Sequence, residues 1–469
     1  MTRRAASERT QAYFVDGSFR DELAARISIR TESPDATRRP ELYRYLADNL
    51  SPSLREMGFD CRLHENPVPD AGPFLVATRH ESDDLPTVMS YGHADVVLGY
   101  DDQWRDGLDP WTITVEGDRW YGRGTADNKG QHTINLAALR SVLEERGHLG
   151  FNVVLLFETG EETGSPGLRE FCAANAELFE ADVFIASDGP RIQADRPTVF
   201  MGSRGVFNFS MTLTLREGGH HSGNWGGLLS NPGVILAHAL STMISVDGEL
   251  LVSGWKAEPM TESVREAISR LSVGDADGPA IDVDWGEPGL SPEERVFGTN
   301  TFEVLAFETG NPKNPVNAIP PTAIAHCHMR FVAGTEPDDL LPALRRHLDR
   351  YGFAAIALEP AGVAMNATRL DPDHPWAQWA IDSIERTSGK DVSVLPNLGG
   401  SLPNDVFADV LELPTIWVPH SYAGCSQHAP NEHLLASTCE EALRIMTGLW
   451  WDLGAGDTPQ ASSFSARKR

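Results

Sequence analysis

Gly150-Phe151-Asn152-Val153-Val154-Leu155-Leu156-Phe157 leads directly into Glu158-Thr159-Gly160-Glu161-Glu162-Thr163-Gly164-Ser165. A near-continuous apolar run of this length suits a strand buried on both faces, so it reads as a central strand of a sheet covered by helices. Working outward, Thr87-Val88-Met89-Ser90-Tyr91-Gly92 is a second apolar run and residues 181–186 are a third. Between them, residues 131–147 read as a helix, with Ile134, Ala137, Ala138 and Leu143 on one face and Gly147 as its stop. This alternation predicts an α/β fold with a mixed central sheet flanked by helices. Each apolar run also delivers a polar residue at its end: His93, the pair Glu161-Glu162, and Asp188. Sites in open α/β sheets collect at the carboxyl ends of strands.

Near residue 206 the pattern changes to alternation with period two over 206–215, which predicts an antiparallel strand with one solvated face. A helix at 232–246, strands at 301–307 and 323–331, a helix at 337–351 and a strand at 354–358 then compose a small α+β unit. From Asp371 the α/β character returns, with a helix at 375–387 and an apolar strand at 414–418 ahead of His428. The expected division is a catalytic domain at 1–205 and 370–469, interrupted by an inserted α+β lid at 206–369. The polar tail at 454–469, ending in Arg-Lys-Arg, reads as frayed or as an expression remnant.

Composition bounds the function. A chain of 469 residues exceeds one compact core, consistent with two domains. Hydrophobic content of 41% and charged content of 23% describe a globular protein. No run approaches the ~18 apolar residues of a membrane span, and no apolar stretch follows the basic start to make a secretory signal. The five cysteines (Cys61, Cys172, Cys327, Cys425, Cys439) form no Cys-x-x-Cys pair and read as reduced residues of a cytoplasmic protein. A net charge of -28 argues against nucleic acid and anionic membrane as partners, and a carboxylate-bearing substrate would need a local cation.

The chemistry-bearing segments are short and scattered. In Tyr-Gly-His93-Ala-Asp95, residues two apart can face the same way, so Asp95 can orient the imidazole of His93. Taken alone, such a pair also fits a surface turn. Gly122-Arg123-Gly124-Thr125-Ala126-Asp127 lacks the third glycine of a dinucleotide fingerprint and reads as a turn presenting Asp127, or as an Asx turn before a helix. Glu161-Glu162 is tolerated when a cation neutralises one carboxylate and leaves the other as general base; a solvated acidic loop is the plainer meaning. His428 lies in Gln-His-Ala-Pro-Asn-Glu-His. Two histidines and three carboxylates (His93, Asp127, Glu162, Asp188, His428) suffice for two divalent ions with a water between them.

In this order the segments resemble the dizinc metallopeptidase family of aminoacylase, acetylornithine deacetylase, carboxypeptidase G and carnosinase, from about residue 90 to 435. His221-Ser222-Gly223, Ile319-Pro320, Arg330 in His-Met-Arg and Gly399-Gly400-Ser401-Leu402-Pro403 also fit. The Glu-Thr-Gly-Glu-Glu-Thr-Gly-Ser run is most similar to the carnosinase-type dipeptidases. The resemblance implies two divalent ions per subunit, zinc first and Mn or Co as alternatives. His93, Asp127 and Asp188 would hold one, and Asp127, Glu162 and His428 the other. It further implies Glu161 as general base, Asp95 as partner of the ligand histidine, and His221 as oxyanion donor reaching across a homodimer formed through the lid. Arg330, with Gly400 and Ser401, would receive the substrate carboxylate. An often-cis Asp127-Asn128 peptide is implied too. Two departures stand out: Gly219-His220 occupies the usual Asp-x place before His221, and Asn397-Leu398 replaces a usual Arg-Glu.

The function expected is hydrolysis of the amide bond of small dipeptides or N-acyl amino acids. Alternatives are a deacylase for a non-peptide carboxylate-bearing metabolite, and a catalytically silent metal-binding assembly protein. Nucleophilic hydrolysis is the weakest reading, since the sequence has no Gly-x-Ser-x-Gly elbow and no activated-cysteine signature.

Overall fold

The structure, a computed structural model, describes residues 1–274 and 280–459. Its centre is an eight-stranded mixed sheet in the order Asp60–His64, Phe74–Arg79, Asn152–Glu158, Thr87–His93, Val183–Ala186, Thr415–Trp417, Thr198–Phe200, Ser393–Leu395. Asn152–Glu158, Thr87–His93, Val183–Ala186 and Thr415–Trp417 are mutually parallel neighbours. All seven residues of Asn152–Glu158 are buried. Val153, Val154, Leu155, Leu156 and Phe157 each contribute about 1.5–3 kcal/mol by leaving water, which anchors the acidic turn that follows.

Helix Lys129–Arg146 packs between strand Thr87–His93 and the helices Arg3–Val15 and Ala436–Gly454. It begins two residues earlier than the sequence pattern indicates and ends at Gly147, whose φ of 80° suits a left-handed cap. Helices Arg3–Val15, Ser18–Ile27 and Ala436–Gly454 complete this layer. A second apolar core covers the opposite face, centred on Phe184, Phe407 and Trp417.

Residues between Gly205 and Met365 build a separate four-stranded antiparallel sheet, ordered Thr301–Thr309, Thr322–Phe331, Gly205–Thr214, Ala357–Met365. Helices Pro232–Met243 and Leu340–Arg350 cover one face through Leu236, Met243, Leu344 and Leu348. Alternation along Thr322–Phe331 sends Ala325, Cys327, Met329 and Phe331 into that core and leaves Arg330 on the open face.

Boundaries between residues 232 and 365 depart from the sequence reading in three instructive places. Helix 232–246 stops at Met243 because Ile244 turns extended and bridges Leu250. The helix expected at 337–351 opens as a 3-10 turn, Pro337–Asp339. The strand expected at 354–358 is Ala357–Met365, which tolerates Pro360 because it lies at a sheet edge. All five cysteines are free and buried. Among the described residues no helix is long and apolar enough to cross a membrane. The tail reading falls, for residues 460–469, outside the described residues.

Candidate metal centre

The parallel strands of the large sheet deliver side chains to one rim. His93 is the last residue of its strand; Glu161 and Glu162 open a 3-10 turn just beyond Glu158; Asp188 follows Ala186 by two. Asp127 arrives on the turn before helix Lys129–Arg146, through a cis peptide to Asn128. That turn needs its glycines: Gly124 has φ of 86°, and a Cβ on Gly130 would lie 1.9 Å from the Thr125 carbonyl oxygen. His428 comes from the loop beyond Thr415–Trp417, with a left-handed φ of 59° that a non-glycine residue holds only under tertiary constraint.

These five residues converge as two overlapping groups, His93-Asp127-Asp188 and Asp127-Glu162-His428, with the potential ligand atoms of each group within 4.8 Å of one another. Asp127 sits between them. Its Oδ1 lies 2.9 Å from His93 Nε2, and its Oδ2 lies 2.9 Å from His428 Nε2. His93 Nε2 is 3.7 Å from Asp188 Oδ2, and His428 Nε2 is 3.0 Å from Glu162 Oε2.

Asp95 behaves differently from the sequence expectation. The contact to His93 Nδ1 is shared between its backbone carbonyl at 3.1 Å and its carboxylate Oδ1 at 3.4 Å. The same carboxylate accepts the backbone amides of Glu161 at 3.3 Å and Glu162 at 3.2 Å. Asp95 therefore positions the acidic turn as well as the imidazole.

Several residues that sequence reasoning passed over hold the rim from behind. Buried Glu432 accepts from the amides of Gly124, Ala126 and Asp127 at 2.9–3.1 Å and from Arg123 Nη1 at 2.7 Å. The only sequence signal was its place four residues after His428. Gln427 donates to Asp127 Oδ2. Asn128 donates to the Ser187 carbonyl at 2.9 Å, tying the residue after Asp127 to the residue before Asp188. Lys129 is buried and gives its Nζ protons to the carbonyls of Arg26 and Ile29, at 3.1 and 2.7 Å.

The four remaining predicted residues lie elsewhere. His221 sits on the short ribbon pairing His220–His221 with Ala318–Ile319; it is exposed, accepts the Gly223 amide at 3.1 Å, and belongs to neither ligand group. Arg330 and Ser401 do meet: Arg330 Nη1 donates to Ser401 Oγ, and Ser401 Oγ donates to the Arg204 carbonyl at 2.6 Å. Gly400 stands beside them on the wall of a cavity of about 700 Å³.

Electrostatics show what the rim lacks. Burial raises Glu161 well above the usual carboxylate range, with Asp188 and Glu162 adding repulsion. Burial lifts Glu162 to about 7 and Asp188 to about 6, each reinforced by the charge of Asp127. Hydrogen bonds donated to Asp127 and Glu162 raise His428 to about 11, and His93 is raised by its carboxylate partners against the opposing effect of burial. Glu162 Oε1 and Asp188 Oδ2 are buried without a hydrogen-bond partner. Orphaned carboxylate oxygens among imidazoles, in oxygen- and nitrogen-rich sets, fit divalent cations.

Comparison with known proteins agrees. The description "Peptidase family M20/M25/M40" matches residues 89–452. The chain is 31% identical to a Cys-Gly metallodipeptidase of Candida albicans, over 92% of this chain and 93% of that protein. It is 27% identical to a cysteinylglycine-S-conjugate dipeptidase of Corynebacterium striatum, over 76% of this chain and 77% of that one. Human carnosine dipeptidase 1 shares the fold, with a TM-score of 0.76 at 20% identity, over 96% of this chain and 99% of that one. The chain belongs to peptidase family M20/M25/M40 and is a metal-dependent peptidase.

Proposed function

We propose that this enzyme uses two zinc ions per subunit to hydrolyse the amide bond of small dipeptides or N-acyl amino acids that carry a free carboxylate. The observation that carries this reading is the split allegiance of Asp127, whose two oxygens each face a different imidazole at 2.9 Å. His93 and Asp188 would complete one seat, Glu162 and His428 the other. Bound there, the ions supply Lewis acidity to the scissile carbonyl and lower the pKa of an attacking water.

The remaining work belongs to this chain's own groups. Glu161, its amide fixed by Asp95, takes the proton of the water and returns it to the departing amine nitrogen. His221, contributed by the lid of a second copy, donates to the oxyanion as it develops. Arg330 holds the substrate carboxylate in the fork geometry that a lysine lacks, with Ser401 beside it.

Residues 206–369 act as the inserted lid and as the dimer contact. The edge strand Thr301–Thr309, which exposes Val304, Leu305 and Phe307, supports such a contact. The acidic surface and the five free cysteines support a cytoplasmic enzyme. A second reading, a deacylase for a non-peptide metabolite, is favoured by the segment before Gly399. Asn397 is held there by Arg369 at 2.7 and 3.0 Å and Leu398 is buried, so no ionisable group faces a substrate amine from this segment.

Rates over a panel of dipeptides, N-acyl amino acids and N-carbamoyl compounds, with zinc-loaded and metal-stripped enzyme, test the reading. Zinc-dependent cleavage of dipeptides or N-acyl amino acids is expected. Loaded enzyme that cleaves only non-peptide amides would transfer the assignment to the second reading.

A further inference from the structure

The cavity of about 700 Å³ contains none of the five ligand residues, yet it touches the site at two points. Leu398 lies in its wall and packs against Gly189, the residue after Asp188: a Cβ on Gly189 would sit 3.2 Å from Leu398 Cδ2. The turn Gly399-Gly400 also lines it, and the next residue, Ser401, receives Arg330. The cavity therefore shares a wall with the carboxylate grip on one side and the metal rim on the other.

Ile192, Val296, Phe297, Leu395 and Leu398 give the wall near the turn its apolar surface, while the neighbouring Arg191 and Arg295 are committed to Glu441 and to the carbonyls of Val283 and Trp285. Val296 belongs to the short helix Pro292–Phe297, and its Cγ1 would stand 3.1 Å from a Cβ on Gly399, so this helix packs directly over the turn. Arg204 also lines the cavity, and its Nε is committed to the Gly399 carbonyl at 2.7 Å. Among the described residues Arg204 forms no ion pair, and Glu303 on the same wall is the acid whose charge it feels.

We propose that this cavity receives the side chain of the substrate's carboxylate-bearing residue, the one released as the amine, and that it selects a bulky apolar side chain there. The proposal rests on the reading above in one respect, the docking of the substrate carboxylate on Arg330. With that carboxylate beside Ser401, the adjoining Cα directs its side chain past Gly400, which bears none of its own, through a passage lined by Val296 and Leu398 into the cavity. A glycine leaving group would leave the apolar walls uncovered. A phenylalanine or leucine buries most of its side chain, an effect of about 10- to 100-fold in kcat/KM.

The test measures kcat/KM of the zinc-loaded enzyme for Ala-Gly, Ala-Leu, Ala-Phe and Ala-Glu, with Phe-Gly and Leu-Gly as the reversed series. Ala-Phe and Ala-Leu are expected to exceed Ala-Gly by about 10-fold or more, and enlarging the first residue is expected to change the rate by less than about 3-fold. Val296→Trp, which fills the passage, should lower the Ala-Phe to Ala-Gly ratio by about 10-fold; Leu398→Phe, a milder filling, should lower it in the same direction. A flat Ala-X series, a preference for Ala-Glu, or a ratio unmoved in folded Val296→Trp overturns the proposal. Loss of cleavage across all of these peptides is instead failure of the peptidase reading itself.

Discussion

The rim of the eight-stranded sheet and the open face of the four-stranded sheet are built on opposite rules. At the rim, His93, Asp95, Asp127 and Asp188 are all nearly inaccessible, and His428 alone among the five ligand residues is exposed. Between residues 205 and 365, His221 is exposed and accepts one backbone amide, while Arg330 donates to a single serine. A cluster of like charges must be rigid to be ready for cations, because any relaxation lets the carboxylates protonate or separate. Groups that meet the substrate gain from being able to approach and withdraw. On the function proposed above, the rim would hold the ions and move the proton, while His221 and Arg330 would approach the substrate from outside it.

The sharpest way to break this division is Glu161→Gln. It should reduce kcat by about 1000-fold or more while metal content, read by atomic emission, stays at the wild-type value. Appreciable turnover in that variant would remove the general base from the rim. His221→Ala should lower kcat by about 100-fold, with KM nearly unchanged. Mixing it with Glu161→Gln should recover activity through hybrid dimers, each of which pairs an intact rim with an intact lid; no recovery would place His221 in its own subunit's site. Glu432→Gln keeps the shape but loses the charge that gathers Arg123 and three amides. Metal affinity should fall by about 10- to 100-fold by competition with a chromophoric chelator, and an unaltered affinity would make the rim less dependent on its backing than the geometry indicates.

The smallest effect concerns pH. Burial, reinforced by the charge of Asp95, lifts Glu158 from 4.5 to about 7 in the metal-free chain. The unfolded chain then gives up this proton at lower pH than the folded one, so stability falls as pH rises between those values and stays lower above them. Glu158→Gln, still accepting from Tyr91 and Ser165, should flatten that slope in urea titrations of the metal-free protein from pH 5 to 8. A slope equal to wild type would mean Glu158 is already ionised.

Much of this arrangement can be read from the chain because strands and ligands obey local rules. The run Val153 to Phe157 suits a doubly covered strand, and the residues at or just past such runs, His93, Glu161, Glu162 and Asp188, inherit their position from it. Asp127 and His428 come from turns, so only their glycine-rich or proline-containing surroundings marked them. Glu432 was illegible because its role is entirely non-local: its partners are 305 to 309 residues away. Asp95 was half legible, since its contact to His93 is two residues away and its hold on Glu161 and Glu162 spans 66 and 67. The late start of strand Ala357–Met365 escaped because an edge position, invisible locally, is what licenses Pro360.

The reach of Glu432 has a consequence for how the enzyme comes into being. When the ribosome has made residue 420, every strand of the large sheet exists, yet the segment 122–127 lacks the acceptor that shapes it and Asp127 lacks one of its two imidazoles. At that point the chain also lacks helix Ala436–Gly454, whose Leu443, Met446, Leu449 and Trp450 belong to the main core, so core and cation seat are completed by the same stretch of chain. A chain that stops before residue 428 would lack His428 and Glu432 at Asp127 together with the helix that closes the core.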